Sequence, residues 1–164
     1  MSTVKESFPA TGTSITITLN SLASSGTAGR ASTAIDNSTN LDLDALVSVT
    51  LNQSASATAN DKAFYVFAYG SWDGTNYPEG ITGSDAAYTI KGSAGALTTG
   101  SLRLIGVIPA VASANDNSGP FSVAQAFGGV LPPKWGIVVL NYGGQTLSGS
   151  GCSATYTRVQ ATVA

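Results

Sequence analysis

Two stretches of this chain limit it to a layered β architecture. In Leu43-Asp-Ala-Leu-Val-Ser-Val-Thr-Leu51, residues Leu43, Ala45, Val47, Val49 and Leu51 fall on one side, with Asp44, Ser48 and Thr50 on the other. A period of two is the mark of a strand with one buried face and one wet face. In Ala63-Phe-Tyr-Val-Phe-Ala-Tyr69 apolar residues occupy both sides. Such a run reads as a central strand whose sheet is covered above and below.

The remaining pattern agrees. Ser14-Ile-Thr-Ile-Thr-Leu19 alternates, Thr27 to Asp36 is polar enough for an edge, and Ala86 to Lys91 is weakly periodic. Leu102 to Ile108 is a strong run ended by Pro109, and Phe121, Val123, Gln125 and Phe127 alternate with small residues. Trp135 to Tyr142 reads as a core strand, and Ser153 to Val163 closes the chain. Turn chemistry separates them at Ser54–Asp61, Gly70–Gly83, Gly92–Gly100, Ser113–Gly119 and Gly128–Pro133. Charged residues make up only 10% of the chain, against the ~25% usual in soluble domains. Ser, Thr, Val and Gly take their place, a composition suited to strands and tight turns rather than amphipathic helices. The expected fold is all-β: a single-domain antiparallel β-sandwich over residues 14–164, jelly-roll-like, with about eight strands. Residues 1–13 read as a polar N-terminal arm that orders only against a partner or a neighbouring copy.

Charge and composition also bound function. The net charge is −2, and the 7 Lys and Arg residues are scattered, so no basic stripe is available for a nucleic acid. No apolar run approaches the ~20 residues of a membrane span, and Met1 to Pro9 lacks the apolar core of a secretory leader. A weakly charged surface gives copies little reason to stay apart, which points to an assembly.

Little in the sequence can do chemistry. The absence of histidine excludes His-based triads and imidazole zinc sites, and the lone Cys152 excludes thiolate zinc sites and an internal disulfide. Cys152 reads as a small apolar residue near a strand start. Carboxylates remain, because glycoside hydrolysis needs only two. Asp42 and Asp44 are expected on a strand face turned to water or a partner, and Asp85 and Asp116 read as ordinary loop residues. Asp73, Asn76 and Glu79 share one Gly-rich loop; their spacing does not match a calcium loop, and bonding to their own turn is the leading reading. No enzymatic activity and no cofactor are expected.

Aromatic residues in that loop pose a sharper question. Trp72 and Tyr77, with Tyr69 nearby, offer a platform for a sugar ring, an anchor into a neighbouring subunit, or a cap on their own sandwich.

One segment carries a resemblance. Gly119 to Tyr142 holds two apolar runs, a Gly-Gly pair, a Pro-Pro pair and a single charged side chain, Lys134. Asp85-Ala-Ala-Tyr-Thr-Ile90, Leu102-Arg-Leu-Ile-Gly-Val-Ile-Pro109, Phe121 to Phe127 and Leu131-Pro-Pro-Lys-Trp-Gly-Ile-Val-Val139 follow in the order found in small structural proteins of tailed bacteriophages. The resemblance spans roughly residues 64 to 160. It implies a capsid decoration (cement) protein on the outer surface of the phage head, assembled in the host cytoplasm. The partners it implies are the major capsid protein and further copies of the chain, as a homotrimer. A neck or tail ring component, and a glycan-binding module using Trp72 and Tyr77, are the alternatives. Contacts are expected at Trp72, Asp73, Tyr77 and Pro78 in the loop and at Phe8 and Pro9 in the arm.

Overall fold

A computed structural model describes residues 3–9, 11–55, 61–91, 101–110 and 115–163. The expected loop at 92–100 lies outside these residues, as do parts of the turns at 54–61 and 113–119. In chain order the strands are β1 (Val4–Ser7), β2 (Thr13–Ser14), β3 (Ala28–Ala31), β4 (Ile35–Asp36), β5 (Asp44–Asn52) and β6 (Ala63–Ser71). They continue with β7 (Ala86–Thr89), β8 (Arg103–Pro109), β9 (Asn115–Ser122), β10 (Lys134–Tyr142) and β11 (Ser153–Val163). One short helix, α1 (Val123–Ala126), follows β9.

Two antiparallel sheets result. The first runs β1-β11-β5-β9 with β2 also on β11; the second runs β7-β3-β10-β6-β8 with β4 on β10. The chain passes repeatedly between them, placing β2, β5, β9 and β11 in one sheet and β3, β6, β8 and β10 in the other. That wrapping is the jelly-roll form of the antiparallel sandwich.

Strand period explains the layering. On β5, Ala45, Val47, Val49 and Leu51 are buried while the alternate positions are half-buried. They meet Phe64, Val66 and Ala68 of β6 and Trp135, Ile137 and Val139 of β10 in the core between the sheets. The opposite faces of β6 and β10 build a second core, where Phe67, Tyr69, Val138 and Leu140 pack with Ile81, Tyr88, Ile90 and Leu102. The segment leaving β6 therefore crosses the outside of its own sheet and adds β7 to the far edge, beside β3. This cover is what the two-sided apolar pattern of residues 63–69 requires.

Several local expectations need correction. Ile15 and Leu19 are buried as their alternation predicts, but only Thr13–Ser14 belong to a strand. The backbone changes sheets here: Ile15 N donates to Ala154 O in one sheet, whereas Thr16 O accepts from Thr33 N beside the other. Thr27 to Asp36 is two strands, and β3 lies inside its sheet between β7 and β10, not at an edge. Residues 115–119, expected as a turn, are strand.

Phe121 to Phe127 is not one strand. After Ser122 the chain turns into α1, with the Ser122 hydroxyl accepting from Gln125 N and Asp44 Oδ1 accepting from Ala124 N at 2.8 Å. A side-chain N-cap makes a helical turn affordable inside a period-two pattern. The arm also differs from expectation, because residues 4–7 pair with the end of β11 from Val4↔Val163 to Ser7↔Gln160.

Asp42 is buried, not turned to water. Arg158 Nε reaches both of its oxygens at 3.0 Å, and Gln160 donates at 2.7 Å. Leu41 and Leu43 are the exposed residues instead. Asp85 is equally structural, accepting from Thr18, from the Arg30 guanidinium and so tying the outer segment down.

Gly136 lies against the Tyr69 ring in the second core, since a Cβ there would overlap it. Gly136→Ala is expected to cost about 1–3 kcal/mol, because neither the ring nor the central strand can give way. Chemical denaturation with the m-value held constant checks it.

Candidate functional site

The excursion that covers the second core begins as a tight turn. Asp73 closes it: Oδ1 accepts from Ser71 Oγ, Thr75 N and Asn76 N, and Oδ2 accepts from Asn76 Nδ2 at 2.6 Å. Hydrogen bonds from Asn76 first, then Thr75 and Ser71, hold the Asp73 carboxyl well below the ordinary carboxylate range. The turn thus presents Trp72 outward on a fixed backbone. Trp72 is 59% exposed, and its ring stands perpendicular to Phe127 at 6.3 Å between centroids.

Phe127 is positioned from another part of the chain. It follows α1 and precedes the bend at Gly128 and Gly129, both at positive φ, where only glycine is unstrained. Pro132 and Phe127 press against Gly70, where a Cβ would meet Pro132 Cγ at 2.6 Å. The bend therefore seals one wall against the end of β6.

Between these walls lies a cleft of about 500 Å³ lined by Trp72, Asp73, Asn76, Tyr77, Ser101 and Arg103 among others. Tyr77 is half-buried, edge-on to Tyr69 at 5.8 Å. Tyr69 itself is not part of any exposed platform. It is fully buried, its hydroxyl donates to Ser32 O at 2.7 Å, and burial pushes its pKa up to about 12.

The oxygen ligands considered for calcium are not gathered. Asp73 is engaged by its own turn, while the Glu79 carboxylate accepts from Tyr88 Oη at 2.6 Å and from Ser101 N. Among the described residues, no group of three or more His, Cys, Asp or Glu side chains is placed to hold a metal. The Asn76–Glu79 stretch instead ties the loop to β7 and to the start of β8.

Trp72, Asp73, Tyr77 and Pro78 all line this one cleft. Phe8 and Pro9 do not: they follow β1, at the edge of the opposite sheet. There, β1 and the last residues of β11 form a two-stranded ribbon whose side chains from Val4 to Glu6 and from Ala161 to Val163 are exposed. Val4 (69% exposed) faces its register partner Val163 (72%), Phe8 (54%) follows, and the outer edge of β1 has no strand partner among the described residues.

Sequence reasoning missed Arg103, Ser101 and Phe127 as cleft residues. Arg103 reads as one polar residue of an apolar strand, and nothing local says that β8 begins beside a loop 30 residues earlier in the chain. Among the described residues no helix is long and apolar enough to cross a membrane. Comparison with family models, curated protein sequences and solved structures returns no match.

The turn makes an acid-sensitive element. A carboxyl whose folded pKa is depressed adds stability above its unfolded value, 3.8, and loses it as pH falls toward the folded value. The native chain should exceed Asp73→Asn in thermal midpoint above pH about 4, and the gap should narrow below it. Melting curves across that range check the sign.

Proposed function

We propose that the protein is a capsid decoration (cement) protein of a tailed bacteriophage, binding the outer surface of the assembled head as a homotrimer. The likeness of residues 64–160 to small phage structural proteins supports the reading. The observation that carries it is the β1–β11 ribbon, which sets Val4, Phe8 and Val163 in water beside an open strand edge.

Such a ribbon is poorly stabilised alone, because two strands without a covered face are marginal in water. The β1 edge, unpaired among the described residues, is a template for strand addition by another chain, and the apolar residues of the ribbon supply anchors. The low overall charge removes long-range repulsion between copies. By bridging neighbouring subunits of the expanded shell, the protein binds that state in preference to free subunits and stabilises it by mass action. A neck or tail ring is the second reading within the same class, and it draws on the same ribbon.

Light scattering of the purified protein should give a trimer, and sedimentation should show it binding expanded heads of its phage. Val4→Asp combined with Val163→Lys, which pair across the register at exposed positions, should keep the fold and weaken head binding about tenfold or more. A monomer that ignores expanded heads overturns the proposal; rings of six or twelve copies move it to the neck or tail.

A further inference from the structure

We propose that the cleft beside Trp72 binds a neutral saccharide, with one sugar ring seated against the indole and its hydroxyls bridging Arg103 and Asp73. This site lies on the sheet opposite the β1–β11 ribbon and does not depend on the assembly role.

The first argument is the state of Trp72. Large aromatic residues left in water are commonly interaction anchors, and this one is held rather than free. The Asp73 turn fixes its backbone and Phe127 fixes its ring, so little conformational freedom is lost on binding. The space beside it, about 500 Å³, lies within the size range of small-molecule sites.

The second argument is the polar set around that space. Arg30 and Arg158 each hold a carboxylate, whereas Arg103 joins none of the ion pairs formed by the described residues. Arg103 is exposed and is one of the residues lining the cleft, so its charge there is not neutralised by a carboxylate among the described residues. Asp73 supplies the acceptor: Oδ1 already takes three donors, but Oδ2 takes only Asn76 and keeps capacity for one more.

The pairing of donor with acceptor selects the ligand. An anionic group would gain from Arg103 and be repelled by Asp73, and a cation would meet the reverse. A sugar hydroxyl both donates and accepts, so one ring can satisfy both residues while its C–H face covers the indole. Trp72 and Tyr77 both line the cleft, and Asp73 and Arg103 add to this aromatic pair the polar groups that a sugar ring requires.

Trp135 is buried in the core, so a change in indole emission on adding ligand reports on Trp72. The intact protein is screened on a printed array of neutral and acidic glycans. It is then titrated with maltotriose, cellotriose, chitotriose and lactose by fluorescence and calorimetry, and with any array hit. Saturable binding of a neutral saccharide in the millimolar range or tighter is expected. Trp72→Ala and Arg103→Ala, both at exposed positions, should each lower the affinity about tenfold or more with the thermal midpoint unchanged. A blank array with no response in titration overturns the proposal. So does binding that survives both substitutions, or a preference for acidic glycans. Loss of self-association or head binding in Trp72→Ala, without any saccharide response, would assign the cleft to a protein contact instead.

Discussion

The pairing of β6 with β10 is the constraint on which the other elements depend. The two strands run antiparallel from Ala63↔Tyr142 to Ser71↔Lys134 without a break in register, and both are apolar on both faces. A sheet centred on them buries nothing useful unless it is covered twice. The inner faces, with Phe64, Val66, Trp135 and Ile137, are covered by the second sheet. The outer faces, with Phe67, Tyr69, Val138 and Leu140, must be covered by something else.

That second cover shapes the surface of the protein. The chain leaving β6 cannot return directly to β8, its neighbour in the sheet; it first crosses the outer face and pairs β7 with β3. Asp73 shapes the departure, Tyr77 packs against Tyr69 as the crossing starts, and Glu79 ties the middle to Tyr88 and Ser101. The cleft is where this crossing, the start of β8 and the bend after α1 come together. Its walls thus follow from the need to bury apolar residues, and its polar lining is what remains at the seam. The ribbon is a different kind of feature. It extends past the sandwich, where no core holds it, so its exposed valines gain burial only from another molecule.

Legibility from the sequence varied with how local the deciding interaction was. The alternation of β5 and the two-sided runs of β6 and β10 depend on the strand period alone, and each appears where the pattern puts it. Ile15 and Leu19 show the limit of that logic. Their burial follows the period, but ladder formation depends on which sheet each backbone group faces. Phe121 to Phe127 shows a second limit: apolar residues spaced for a strand turn helical at the local cap Ser122, which Asp44, far away in sequence, holds by accepting from its hydroxyl and from Ala124 N. Asp42 was misread for a like reason, since its partners Arg158 and Gln160 lie near the other end of the chain.

By itself the sequence determined the class of fold, and it left no histidine and no pair of cysteines for chemistry that needs them. A chain of short strand-period apolar runs separated by turn chemistry has few alternatives to an antiparallel sandwich. It also marked Trp72, Asp73, Tyr77 and Pro78 as a group, because one loop carries them all. Only the tertiary structure decided that Arg103 and Phe127 belong beside Trp72, and that Phe8 and Pro9 stand apart on a ribbon. The physical reason is that side-chain period is a property of neighbouring residues. Which strand edge meets which loop is fixed by how two covered sheets wrap around each other.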